Sequence, residues 1–264
     1  MSGFAADWLA LREPADLAAR DRGLVAALAA RLARTPSPLI VDLGCGTGST
    51  FRALSPHLPD AARWRMVDND PSLLREARTR IGPPLDIAWL QQDLGDVAAL
   101  PLADATVVTA SAFFDLCSAP FCDRLVRALS NHGCGLYAAL TYDGRMRWSR
   151  PHPLDALVTR DVNLHQRTDK GFGPALGPEA TTFLADALRR AGFHVHVTAS
   201  DWCLTAGQAA LQAEFLDGLR APLAAIGRLS AGAVADWLGF RKADIGRPGA
   251  WCLVGHRDLL AFAP

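Results

Sequence analysis

No sign of charge predominates in this chain of 264 residues, where 27 lysines and arginines stand against 27 aspartates and glutamates. A dedicated nucleic-acid binder carries a basic stripe or a strong cation excess. Without either, polynucleotide is not an expected partner. Paired cysteines are also missing. The six cysteines include no C-x-x-C, and Cys117 and Cys122, with four residues between them, have no His or Cys group at zinc spacing around them. That pattern excludes a zinc cluster and fits free thiols in a reducing compartment, so no metal and a cytoplasmic location are expected. No apolar stretch approaches the ~18 residues of a membrane span. The N-terminus, MSGFAADWLALREPAD, lacks a basic segment followed by an apolar core, so neither a signal peptide nor a membrane partner is expected. Internal repeats and low-complexity tracts are absent too.

What remains is ordinary globular material, half apolar and one fifth charged, with 7 Trp and 11 Phe to build a core. The Ala-rich stretch from Asp16 to Arg34 places Leu24, Val25, Leu28 and Leu32 on one helical face. It stops before Thr35-Pro36-Ser37-Pro38, because proline cannot continue a helix. Short apolar runs predict strands at Leu39–Leu43, Arg63–Asp68, Ile87–Gln91, Thr106–Ala110 and Gly135–Thr141. Between them, helical periodicity predicts helices at Ser49–Leu58, Pro71–Arg80 and Pro120–Ser130. Such alternation means a parallel sheet covered by helices on both faces, a doubly wound α/β fold. From Tyr142 to Pro178 the rhythm breaks, and this stretch is expected to be an irregular, lid-like insert. Helix Glu179–Arg190, strand Phe193–Thr198, a helical pair at Ala206–Leu219 and Ala231–Arg241, and a last strand Trp251–Gly255 follow. The expectation is one domain over 1–264. Its parts are an N-terminal helical cap (1–37), a cofactor-binding half (38–142), a substrate-side insert (143–178) and a C-terminal half with a helical insertion (179–264).

The chemistry centres on Val41-Asp42-Leu43-Gly44-Cys45-Gly46-Thr47-Gly48. A glycine turn between a buried strand and a helix lets backbone approach a ligand closely, since glycine has no Cβ and tolerates positive φ. The spacing is G-x-G-x-G, and the third glycine of a dinucleotide fingerprint is replaced by Ser49. Dinucleotide sites aim a helix N-terminus at a pyrophosphate. Asp42 would oppose a pyrophosphate but suits a ligand carrying an ammonium and a sulfonium. Two further acids, Asp68 and Asp93, fall at the ends of the next two strands. Acids there can accept from ribose hydroxyls and from an adenine amino group.

The segments VDLGCGTG, MVDNDPSLL and QQDL resemble the successive motifs of class I S-adenosylmethionine-dependent methyltransferases. The resemblance covers about residues 39–141 well and the rest in general layout. It implies a seven-stranded, mostly parallel sheet of order 3-2-1-4-5-7-6 with its final strand antiparallel. It implies S-adenosylmethionine as cofactor, with Gly44, Gly46 and Gly48 flanking its methionine end, Asp42 supporting that loop and Cys45 within it. Asp68, with Asn69 beside it, would take the ribose hydroxyls. Asp93 would take the adenine amino group, and Leu94 would offer its backbone N–H to the ring. Ser111, in Thr109-Ala-Ser-Ala112, would line the methionine and the methyl exit. In this family a helix before the sheet covers the cofactor, which points to Arg12 or Arg20 for its carboxylate.

The implied reaction is methyl transfer to a small-molecule acceptor, with alignment and exclusion of water supplying much of the acceleration. The stretch Ala110-Ser111-Ala112-Phe113-Phe114-Asp115 lacks the Asn/Asp-Pro-Pro-aromatic motif of nucleic-acid amino-methylases. From Asp143 to Gly173 the insert holds Arg145, Arg147, Arg150, Arg160, Arg167 and Lys170 against four aspartates. That cation excess suggests an acceptor with carboxylate or phosphate groups. His165 and His152 are the candidate general bases, because imidazole takes a proton near neutral pH. Glycines on either side of Phe172 suggest a segment that closes over the ligand. The alternatives are a nicotinamide-dependent oxidoreductase, which shares the glycine turn and the second acid, and a non-catalytic S-adenosylmethionine-binding protein.

Overall fold

The computed structural model describes residues 6–83 and 86–263; residues 1–5 of the expected cap lie outside them. Two helices, α1 (Ala6–Ala19) and α2 (Arg22–Leu32), precede the sheet, where the sequence suggested one continuous helix from Asp16. Asp21 makes the break. Its carboxylate caps α2 by accepting the Leu24 N–H at 2.8 Å, while its own N–H donates to Asp258 at 3.0 Å. Leu24, Val25, Leu28 and Leu32 are buried as the periodicity required.

The first half alternates as expected: β1 (Leu39–Leu43), α3 (Ser49–Leu54), β2 (Arg63–Asp68), α4 (Pro71–Ile81), β3 (Ile87–Gln91), β4 (Val107–Ser111) and α5 (Ala119–His132). Local chemistry sets several ends. Asp70 caps α4 through the Ser72 N–H with Pro71 at the first turn, and Ser118 caps α5, which closes on Gly133 in the left-handed region.

The chain continues with β5 (Gly135–Trp148), α6 (Asp155–Gln166), α7 (Ala180–Arg190), β6 (His194–Ala199), β7 (Trp202–Leu204), α8 (Ala209–Gly218), α9 (Arg220–Ile226), α10 (Ala231–Asp244) and β8 (Cys252–Phe262). The sheet order is β3-β2-β1-β4-β5-β8-β6, with short β7 on β8. Strands β1 to β5 pair in parallel, and β8 is antiparallel to β5, β6 and β7. The expected order holds, with β7 added before the final strand.

The insert differs from expectation. Residues 142–148 extend β5, because β8 runs alongside as far as the Trp148–Cys252 pair. Residues 155–166 then form α6, so half of the 143–178 segment is strand or α-helix. Two apolar cores cover the two faces of the sheet around β1 and β4. A third core, around Trp237, Leu238, Trp202 and Met146, joins the β5–β8 extension to α1, α6, α8, α9 and α10. The substrate-side region thus has its own packing.

Candidate active site

The switch point lies between β1 and β4, where strand order reverses and the carboxyl ends diverge into a crevice. The glycine loop crosses it. Gly44, Gly46 and Gly48 have φ of +65°, +53° and +83°, which the left-handed region permits to glycine. A Cβ on Gly46 would stand 3.3 Å from Leu9 of α1, so the N-terminal helix lies directly over the loop.

Three acids were expected here, and each has a different setting. Asp42 is fully buried; its Oδ1 accepts from Thr109 Oγ1 at 2.7 Å and its Oδ2 has no partner. Burial pushes its pKa up to about 7, against the opposing pull of Thr109 and Arg20. Asp68 is 7% exposed and braces the loop, accepting the Gly46 N–H at 2.8 Å and the Asp70 N–H at 3.0 Å. Burial raises its pKa while these backbone donors lower it. Each oxygen keeps a second lone pair, which leaves room for hydroxyl donors. Asp93 is exposed at the end of the row, accepting the Gly95 N–H at 2.9 Å. The Gln92 N–H donates to the Asp68 carbonyl at 2.9 Å, which holds Asp93 beside that strand end.

The other expected contacts fall around these. Leu94 is buried and packs with Phe113 in the same core, and both face the Gly44 position. Asn69 sits on the exposed rim. Cys45 is buried, and burial pushes its thiol well above the ordinary value, so it is no nucleophile. Ser111 ends β4 and its hydroxyl is 3.0 Å from Thr50 Oγ1.

The guanidinium at this site belongs to Arg20. It donates to Ser111 Oγ at 2.8 Å, is 6% exposed, and leaves Nε and Nη1 without partners. Arg12, the other candidate, is committed elsewhere. It makes two hydrogen bonds to Asp16, at 2.8 and 3.0 Å, and lies over Trp202 at 4.9 Å.

The two candidate bases are separated. His152 is a structural residue: its Nδ1 accepts the Leu154 N–H at 3.1 Å and its ring packs on Phe240 of α10, 4.7 Å between centroids. Capping the approach to α6 takes it away from the crevice. His165, in the last turn of α6, lies 3.3 Å from Lys170, and burial plus that ammonium lower its pKa. The Gly-Phe-Gly element is pinned instead of free. Phe172 stacks edge-on between Phe113 and Phe121, at 5.3 and 5.0 Å, while Asp169 accepts the N–H groups of Gly171 and Gly173.

One further buried acid lies near the crevice. Asp115 lies in the 3-10 turn Phe114–Leu116, just after β4, and is 6% exposed. Its Oδ2 is 3.5 Å from Gln166 Nε2 and its Oδ1 has no partner. Burial pushes its pKa up to about 6, opposed by its own backbone N–H, by Arg12, by the Tyr142 N–H and by Lys170. An acid inside the apolar run Phe113-Phe114-Asp115-Leu116-Cys117 was the available signal. Among the described residues, no three His, Cys, Asp or Glu side chains converge as a metal site.

Comparison with known proteins agrees with this geometry. A family model described as a methyltransferase domain matches residues 40–133. A malonyl-[acyl-carrier protein] O-methyltransferase of Herminiimonas arsenicoxydans is 30% identical over 183 residues, covering 68% of this chain and 62% of that protein. A trans-aconitate 2-methyltransferase of Methylobacterium nodulans is 32% identical over 107 residues, 40% of each chain. The chain thus spans less than two thirds of the length of either relative. A cyclopropane-fatty-acyl-phospholipid synthase-like protein from Lactobacillus casei shares the fold, with a TM-score of 0.54 at 14% identity, covering 98% of this chain and 95% of that one. The family match over the loop and its acids makes residues 40–133 a methyltransferase domain, and the sheet order is the one that the resemblance to class I S-adenosylmethionine-dependent methyltransferases implied.

Proposed function

We propose that this protein transfers a methyl group from S-adenosylmethionine to a small-molecule acceptor. The observation that carries the reading is a pair of buried, oppositely charged groups at the switch point, each with unpartnered atoms. Asp42 Oδ2 suits an ammonium, and Arg20 Nε and Nη1 suit a carboxylate. Together they match the amino-acid end of S-adenosylmethionine. A pyrophosphate offers nothing to Asp42. Asp68 takes the ribose hydroxyls with Asn69 at its side, Asp93 and the Leu94 N–H take the adenine, and Ser111 lines the methyl exit.

On the acceptor side, a groove of about 580 Å³ runs between β5 and α6, with Arg145, Arg147, Arg160 and Arg167 in its wall. Its cationic lining supports an acceptor with an anionic group. No helix among the described residues is long and apolar enough to cross a membrane, and the six cysteines are unpaired, as suits a reducing, cytoplasmic setting.

The test is calorimetric titration of the purified protein with S-adenosylmethionine and with NAD, followed by S-adenosylhomocysteine release against a metabolite panel. Binding of the first ligand with turnover of a panel member is the expected result. Binding of NAD in its place would make the chain an oxidoreductase.

A further inference from the structure

Burying an ionisable carboxyl without full hydrogen bonding costs stability. Asp42 and Asp68 offset that cost through the loop and its ligand, but Asp115 has no such structural employment. Phe114 beside it is fully buried and anchors the turn; beyond its own backbone N–H and that of Tyr142, the Asp115 carboxyl has only the long contact to Gln166. Its Oδ1 is nevertheless aimed into the protein at the carboxyl end of β4, four residues beyond Ser111.

Several elements around that turn supply polar groups that wall a chamber about Asp115. Arg12 comes from α1, Tyr142 from β5, and His165 and Gln166 from α6, with Lys170 just after it. His256 of β8 packs on Tyr142 with its Nδ1 unpartnered, and burial with the nearby Arg12 lowers its pKa to about 3, so it stays neutral. The turn before α7 brings Glu179, which is engaged by Arg167 at 3.0 Å. The charged residues of α7 itself, Asp186, Arg189 and Arg190, are exposed. Arg12, itself paired with Asp16, and Lys170 act with the backbone N–H donors against burial, so the carboxyl titrates at about 6 and is ionised near neutral pH.

Resting on the methyl-transfer reading above, we propose that Asp115 is a catalytic residue that takes the acceptor's proton, and that the methylated group is a neutral hydroxyl or amine entering this chamber. The acceptor's lone pair forms the new bond to the methyl carbon. The carbon–sulfur bond breaks with its electron pair left on sulfur, and the acceptor's proton passes to Asp115 Oδ1. A carboxylate acceptor has no proton to give and would be repelled by the ionised aspartate. An anionic handle elsewhere on the substrate is still served by the arginine groove.

The experiment measures S-adenosylhomocysteine release with two groups of acceptors. One group is catechol and tyramine, which carry hydroxyl or amine but no carboxylate; the other is trans-aconitate and malonate, which carry carboxylates alone. Turnover of the first group is expected, with kcat rising through an inflection near pH 6. Asp115→Asn should lower kcat by ~10²-fold and abolish the inflection while leaving cofactor affinity within about twofold. His165→Ala should keep the inflection. Turnover confined to the carboxylates, or a wild-type kcat and pH profile in Asp115→Asn, overturns the proposal.

A melting comparison covers the case in which neither group turns over. The carboxyl pKa is higher folded than unfolded, so its destabilisation appears as pH rises from 3.8 to about 6 and is complete above that. Asp115→Asn should therefore melt higher than wild type at pH 8 and match it at pH 4. Equal or lower melting at pH 8 overturns the assignment of a poised carboxyl. Failure of the wild type to bind S-adenosylmethionine counts against methyl transfer itself, and the melting result then judges Asp115 separately.

Discussion

The crevice at the glycine loop and the chamber at Asp115 both hold buried acids with an unpartnered oxygen, yet they are built differently. At the loop, the three candidate acids come from consecutive strands beside the turn between β1 and α3, so these acids are near neighbours in sequence. At Asp115, the surrounding groups come from residues 12, 142, 165, 166, 170 and 256, on four separate parts of the chain. The loop is shaped by backbone: three positive φ angles and N–H bonds to Asp68. The chamber is shaped by side chains held on a separate core, in which Arg241, 2% exposed, lies over Trp148 at 4.5 Å and donates to Asp155 and to the Arg150 carbonyl. One class of ligand needs a rigid, locally encoded cradle, and the other needs a surface that packing can retune without disturbing it.

The contrast is sharpest under substitution. Gly46→Val should abolish S-adenosylmethionine binding in calorimetry while leaving the fold intact by circular dichroism. A β-branched side chain is strained at a φ of +53° and would meet Leu9 where the ligand must pass. Full binding by this variant would place the cofactor elsewhere.

Arg241→Ala attacks the other region. It leaves Asp155 without its buried cation and removes the packing over two tryptophans, and should cost about 3–5 kcal/mol in denaturant unfolding. A loss below about 1 kcal/mol would mean that the third core does not depend on this pair.

Asp42→Asn separates stability from binding within the loop region. Its carboxyl pKa is raised from 3.8 to about 7 on folding, so the destabilisation sets in as pH rises between those values and is complete above pH 7. The variant should gain up to about 4 kcal/mol at pH 8, nothing at pH 4, and lose cofactor affinity. Thermal melts across that range, with calorimetry at pH 8, check both halves.

The smallest effect belongs to His152→Ala. Losing one backbone contact and a face of Phe240 should cost about 1 kcal/mol and leave turnover unchanged. A ~10²-fold fall in kcat would restore it as a base.

Position in the chain explains what could be read early. The strands β1 to β4, the loop acids and the sheet order follow from short runs whose periodicity and turn residues are local. The β5 extension was missed although Tyr142, Met146 and Trp148 recur at even spacing and share the third core, because Gly144 and the charged residues between them mask the pattern. Arg12 and Arg20 are alike in sequence, one helical segment apart. Only the Asp16 pairing of the first and the Ser111 contact of the second distinguish them.

The sequence by itself determined a doubly wound sheet, a glycine turn at its switch point and three acids along its edge, because strand alternation, positive φ and burial act over a few residues. Tertiary structure alone decided which arginine stands at the switch point with unpartnered N–H groups, that His152 is a cap, and that Asp115 is buried with a free oxygen. Those outcomes depend on burial and on contacts between distant segments, such as Arg20 with Ser111, 91 residues apart, and Asp115 with Gln166, 51 apart. No local pattern encodes which side chain will lose its water.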